Sequence, residues 1–127
     1  RGIGPSLEAR DVLLVLQNKG PEDLTKKALF MSGVLLEMGG IKNPYKTASK
    51  LLQSGKAYSK LQEIIKAQGG NPNIQPSQIN PGKFSYEVKS EKQGKVIFIS
   101  NNLVSRIAKL VGAPKDKGAG IYLNKQI

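Results

Sequence analysis

The chain has 127 residues, 39% hydrophobic and 23% charged, enough for one ordinary domain or two small subdomains around a modest core and unlike the composition of a disordered protein. It has no histidine and no cysteine, which excludes disulfides, thiolate metal sites, the usual zinc and iron centres, and the Ser-His-Asp and Cys-His arrangements of nucleophilic catalysis. The formal net charge is +11, but only Arg1, Arg10 and Arg106 are arginines and the lysines are scattered singly or in pairs, so solvated surface is expected before a specific nucleic-acid stripe.

Gly4–Gly40 reads as two helices joined by a tight turn. The first opens at Pro5, whose fixed φ and missing amide donor suit the first helical position, and closes at Asn18-Lys19-Gly20, where the glycine is expected to take the left-handed conformation. It is apolar nearly all round from Val12 to Leu16, which predicts burial between layers. The second helix opens at Pro21 in the same way, with Glu22 and Asp23 in the positive first turn. Leu24, Ala28, Met31, Leu35 and Met38 recur at helical spacing until Gly39-Gly40, and Met31, Met38, Phe30 and the tyrosines are expected to be packing residues.

Asn43-Pro44 then starts a short third helix with Tyr45, Ala48, Leu51 and Leu52 as its apolar stripe, ending at Ser54-Gly55. Ala57, Leu61, Ile64 and Ile65 mark a fourth, stopped by Gly69-Gly70. Residues 71–82, NPNIQPSQINPG, carry neither period and read as a linker. Beyond it the period becomes two: Phe84, Tyr86 and Val88 predict a half-buried strand, and Val96–Ile99 predicts a buried strand pairing with it as a hairpin across Glu91–Gly94. Asn101-Asn102 is expected to cap a helix carrying Leu103, Ile107, Leu110 and Val111 up to Gly112, and Ile121–Leu123 starts one more strand.

The expected fold is therefore α+β: an N-terminal helical layer of about four helices over 1–70, a linker over 71–82, and a small, incomplete α+β subdomain over 83–127. No apolar run approaches the roughly 20 residues that span a bilayer, and no charged leader with an apolar core follows Arg1, so a soluble cytoplasmic protein without a membrane partner is expected. The chain begins Arg1-Gly2-Ile3-Gly4 without methionine and ends at Lys125-Gln126-Ile127 in what reads as mid-strand; a fragment is expected.

Few residues offer chemistry. Nine carboxylates remain; the adjacent pair Glu22-Asp23 is explained by capping, and Glu8 and Asp11, three apart on one helix face, read as a solvated or salt-bridged face beside Arg10 before a cation site. Ser6 has no histidine partner and no strand-turn-helix elbow around it. The loop from Lys115 to Gly120 is the best candidate for an anion site, with Lys115 and Lys117 flanking backbone that Gly118 and Gly120 leave open to a phosphate. It departs from the Walker pattern, and a structural turn feeding the last strand is the simpler reading.

One resemblance covers nearly the whole chain. GPSLEARDVLLVL, KGPEDLTKKAL, LEMGG, LLQSGKAYSKLQEIIKAQGG and GKVIFISNNLVSRIAKLVGAPKDKGAGIYL follow the order of signatures in the latter half of the thymidine (pyrimidine-nucleoside) phosphorylase family, and the chain resembles its archaeal AMP phosphorylase branch most. The resemblance implies that the first half completes a larger α/β domain and the second begins a C-terminal α+β domain. It implies an enzyme that cleaves the N-glycosidic bond of a nucleoside or nucleoside monophosphate with inorganic phosphate as co-substrate and no cofactor. For the archaeal branch it implies AMP giving adenine and ribose 1,5-bisphosphate, with CMP and UMP as further substrates, in a homo-oligomer.

The family's phosphate loop, KHSSGG or KxSTGG, and the Arg, Ser and Lys motifs that contact the base do not occur here. No catalytic, cofactor-binding or metal residue is therefore assigned, and this chain alone is expected to be inactive. Two other classes are carried alongside: a basic nucleic-acid-binding module, and a structural piece that self-associates through an exposed Val12–Leu16 face.

Overall fold

A computed structural model describes residues 2–124. Two units emerge, residues 11–76 and residues up to 10 together with those from 77 onward. The expected strand end at Lys125–Ile127 lies outside the described residues, as does Arg1. In chain order the elements are β1 (Gly2–Ile3), α1 (Pro5–Leu16), α2 (Glu22–Met38), α3 (Pro44–Gln53), α4 (Lys56–Ala67), a 3-10 turn (Pro76–Gln78), α5 (Asn101–Leu110) and β2 (Ile121–Tyr122). The described residues are thus mostly helical with one small antiparallel sheet, in the α+β class.

In the helical unit, α2 packs on α3 and α3 on α4. Its core is small: Leu13 and Val15 from α1, Gly33 from α2, and Ala48 and Leu52 from α3. The close approach of α2 and α3 rests on Gly33, because a Cβ there would lie 2.2 Å from Cδ1 of Tyr45 and 2.9 Å from its Cγ. A glycine inside a helix costs about 1 kcal/mol relative to alanine, and here it makes room for an aromatic ring.

The end of α1 departs from expectation. Asn18, not Gly20, takes the left-handed conformation, with φ of 59°. The Lys19 amide then donates to the Leu14 carbonyl at 2.8 Å, and the Asn18 side-chain amide donates to the Leu52 carbonyl at 3.2 Å. Asparagine tolerates this conformation better than most residues, and its side chain gains an acceptor on α3. At the start of α2, Pro21 stands one residue before the first helical position, its carbonyl accepting from both the amide and the hydroxyl of Thr25 at 2.9 Å.

The stripe of α2 is less covered than its spacing suggests. Leu24 and Ala28 are half-buried, whereas Phe30, Met31, Leu35 and Met38 are 55–80% exposed. Phe30 meets the ring of Tyr45 at a centroid distance of 6.1 Å. On α1, Leu13 and Val15 are buried, Leu14 and Leu16 half-buried and Val12 exposed. Helical spacing states which face is apolar, but burial needs a neighbouring element, and the packing of α3 on α2 leaves Phe30, Met31, Leu35 and Met38 exposed.

The other unit holds the β1–β2 ladder, Gly2 opposite Tyr122 and Ile3 opposite Ile121. The hairpin expected from 84–88 and 96–99 does not form; that stretch has no regular secondary structure. Phe84, Tyr86, Val88 and Ile97 are 86–97% exposed. An alternating pattern becomes a strand only when cross-strand partners and an apolar layer are present, since those contacts supply the stabilisation. The next helix is capped by Ser100, one residue earlier than expected: its hydroxyl accepts from the Leu103 amide at 3.4 Å. Only Ala108 of α5 is buried, and Leu103, Ile107, Leu110 and Val111 are exposed.

Candidate anion-binding loop

The four residues Lys115, Lys117, Gly118 and Gly120 lie in the connection between α5 and β2. The helix ends with the Gly112 amide donating to the Lys109 carbonyl at 3.1 Å and the Ala113 amide to the Ala108 carbonyl at 3.0 Å. A turn follows in which the Asp116 amide donates to the Gly112 carbonyl at 2.9 Å and the Ala119 amide to the Asp116 carbonyl at 3.2 Å.

Asp116 also governs the glycine amide that an anion would need. Its Oδ1 accepts from the Gly118 amide at 2.8 Å. That amide is therefore already taken by a carboxylate, whose charge opposes a second anion beside it. The lysines and glycines of this loop point to an anion site only while the aspartate between them is left out. The signal was present, because aspartate commonly accepts from the backbone amide two residues on.

The rest of the loop is turned toward the start of α1. The Lys117 carbonyl accepts from the Ser6 amide at 3.1 Å and from the Ser6 hydroxyl at 2.7 Å. The Gly118 carbonyl accepts from the Gly82 amide at 2.7 Å. The side chains of Lys115 and Lys117 belong to exposed residues. Both glycines meet other backbone closely: a Cβ on Gly118 would lie 2.9 Å from the Gly82 nitrogen, and one on Gly120 only 2.3 Å from the Ile3 carbonyl oxygen. Gly4 faces the same place from the other side, with φ of 127° and a Cβ position 2.4 Å from the Ala119 carbonyl oxygen. These glycines have a packing reason, which fastens β2 and its loop against β1 and the first turn of α1.

Several other carboxylates are engaged in local structure. Glu8 Oε1 accepts from the Gly4 amide at 3.0 Å, a side-chain cap at the helix start, while the Glu8 amide donates to the Gly4 carbonyl at 2.9 Å as the first helical bond. Asp11 is buried, whereas Glu8 is exposed. Glu22 pairs with Lys26 at 2.5 Å, and the hydrogen bond and charge of Lys26 hold its carboxyl below the usual value; Glu22 in turn raises Lys26. Glu63 pairs with Lys60, and Glu87 with Lys89 at 3.2 Å. Among the described residues no group of three or more acidic side chains is placed to hold a metal ion, and no helix is long and apolar enough to cross a membrane.

Two hollows lie in the helical unit. One, at the corner of α3 and α4, is lined by Thr47, Lys50, Leu51, Gln53, Ser54 and Lys56. The other is an open apolar groove of about 320 Å³ whose walls include Val15, Leu16, Leu35, Leu36, Leu51 and Leu52. Neither is lined by a carboxylate, so neither offers a general acid or base of that kind.

No family model matches the chain. It is similar to the AMP phosphorylase of Thermofilum pendens, 48% identical over 125 residues that make up 98% of this chain and 24% of that protein. The AMP phosphorylase of Thermococcus kodakarensis is 47% identical over 95% of this chain and 25% of its own length. That of Methanothrix thermoacetophila is 40% identical over 100% of this chain and 26% of its own length. The chain spans about a quarter of the length of the curated relatives it matches.

Proposed function

We propose, from the premise that this chain belongs to the AMP phosphorylase family and spans about a quarter of a member's length, that it is a scaffolding segment of a larger enzyme cleaving AMP with inorganic phosphate. The observation that carries the reading is the identity of 40–48% maintained over 95–100% of this chain. In the reaction a phosphate oxygen bonds to the anomeric carbon of the ribose as the bond from that carbon to the base nitrogen breaks. The electron pair leaves with the base, which departs as adenine once protonated, and the sugar becomes ribose 1,5-bisphosphate. Phosphate must be held beside the anomeric carbon, and charge developing on the base must meet hydrogen-bond donors.

The segment's own residues support a structural part in this chemistry. Glu8 caps a helix, Glu22, Glu63 and Glu87 pair with neighbouring lysines, and Asp116 closes a turn. These contacts account for carboxylates that would otherwise compete for an acid or base role. The same ion pairs weaken the nucleic-acid reading, because Lys26, Lys60 and Lys89 are partly neutralised by close carboxylates. The phosphate- and base-holding groups are assigned to the remaining length of the enzyme, and the parent is read as a cytoplasmic homo-oligomeric pentosyltransferase. Inorganic phosphate is its co-substrate, without a further cofactor.

Release of adenine from AMP in phosphate buffer tests both parts, measured on the 127-residue chain and on a full-length phosphorylase carrying it. Turnover by the full-length protein alone is expected. Adenine release by the short chain would overturn the scaffolding reading, and silence from the full-length protein would overturn the choice of AMP.

A further inference from the structure

We draw no further inference here: the strongest candidate, the open apolar groove of the helical unit lined by Val15, Leu16, Leu35, Leu36, Leu51 and Leu52, carries nothing because nothing in the structure shows what covers it.

Discussion

The helical unit of residues 11–76 and the stretch 83–99 were equally patterned in sequence, yet only the first acquires regular secondary structure. In α2, α3 and α4 the backbone hydrogen bonds of the helix close between residues four apart, so the elements form even where Met31, Leu35 and Met38 are left exposed. Phe84, Tyr86 and Val88 alternate as a strand should, but a strand's hydrogen bonds lie on another segment. Local order follows from local sequence, and sheet order follows from a partner.

The largest effect expected from this contrast is kinetic. Trypsin should cut the 127-residue chain at Lys83, Lys89, Lys92 and Lys95 at least about tenfold faster than at Lys26, Lys27, Lys46, Lys50, Lys60 and Lys66, because the former group needs no local unfolding before cleavage. Mass spectrometry of early fragments measures it. First cuts within α2, α3 or α4 would break the comparison.

The second prediction concerns a close backbone approach within the strand-bearing unit. Gly4→Ala forces an L side chain to a φ of 127° with its Cβ 2.4 Å from the Ala119 carbonyl oxygen. Backbone strain and overpacking each cost roughly 1–3 kcal/mol, so a loss of about 3 kcal/mol is expected in chemical denaturation. Retention of the parent midpoint would show that the β1–β2 clamp contributes little.

A smaller loss tests the helical unit. Gly33→Val places methyl groups against the Tyr45 ring, whose Cδ1 already lies 2.2 Å from the Cβ position, and should cost about 2 kcal/mol. In the background of Tyr45→Ala the same substitution should cost clearly less, since the obstructing ring is gone. Equal costs in both backgrounds would place the penalty at neighbours other than the Tyr45 ring, since valine is a better helix former than glycine.

What the sequence made legible follows the same division. Proline and glycine punctuation located α2, α3 and α4 to within a residue or two, as with Pro44 at the start of α3 and Gly39 at the end of α2. The identity of the residue solving each junction was less accessible. Asn18 displaced Gly20 at the end of α1 because its side chain reaches a carbonyl 34 residues away, and Ser100 displaced Asn101 because its hydroxyl faces the Leu103 amide. In the candidate loop, composition brought Lys115, Lys117, Gly118 and Gly120 to notice. Hidden from it were long-range backbone contacts: Gly120 meets Ile3, and Lys117 receives Ser6.

The smallest expected effect lies at the first turn of α2, where Glu22 and Lys26 are both solvent-exposed. The Lys26 hydrogen bond lowers the Glu22 carboxyl below its usual value, so the folded chain prefers the ionised form. That contribution is fully present above the unfolded carboxylate value and is lost as the pH falls through the lowered folded one. Lys26 is raised by the same contact, so its part is present below the unfolded lysine value and lost as the pH rises through the raised one. Glu22→Gln should therefore lower stability slightly across the neutral range. The difference should close at both pH extremes and shrink in high salt, because exposed pairs are screened. A difference that persists once the Glu22 carboxyl is protonated would assign the role of Glu22 to helix packing and not to its charge, leaving the helical unit independent of electrostatics at this end.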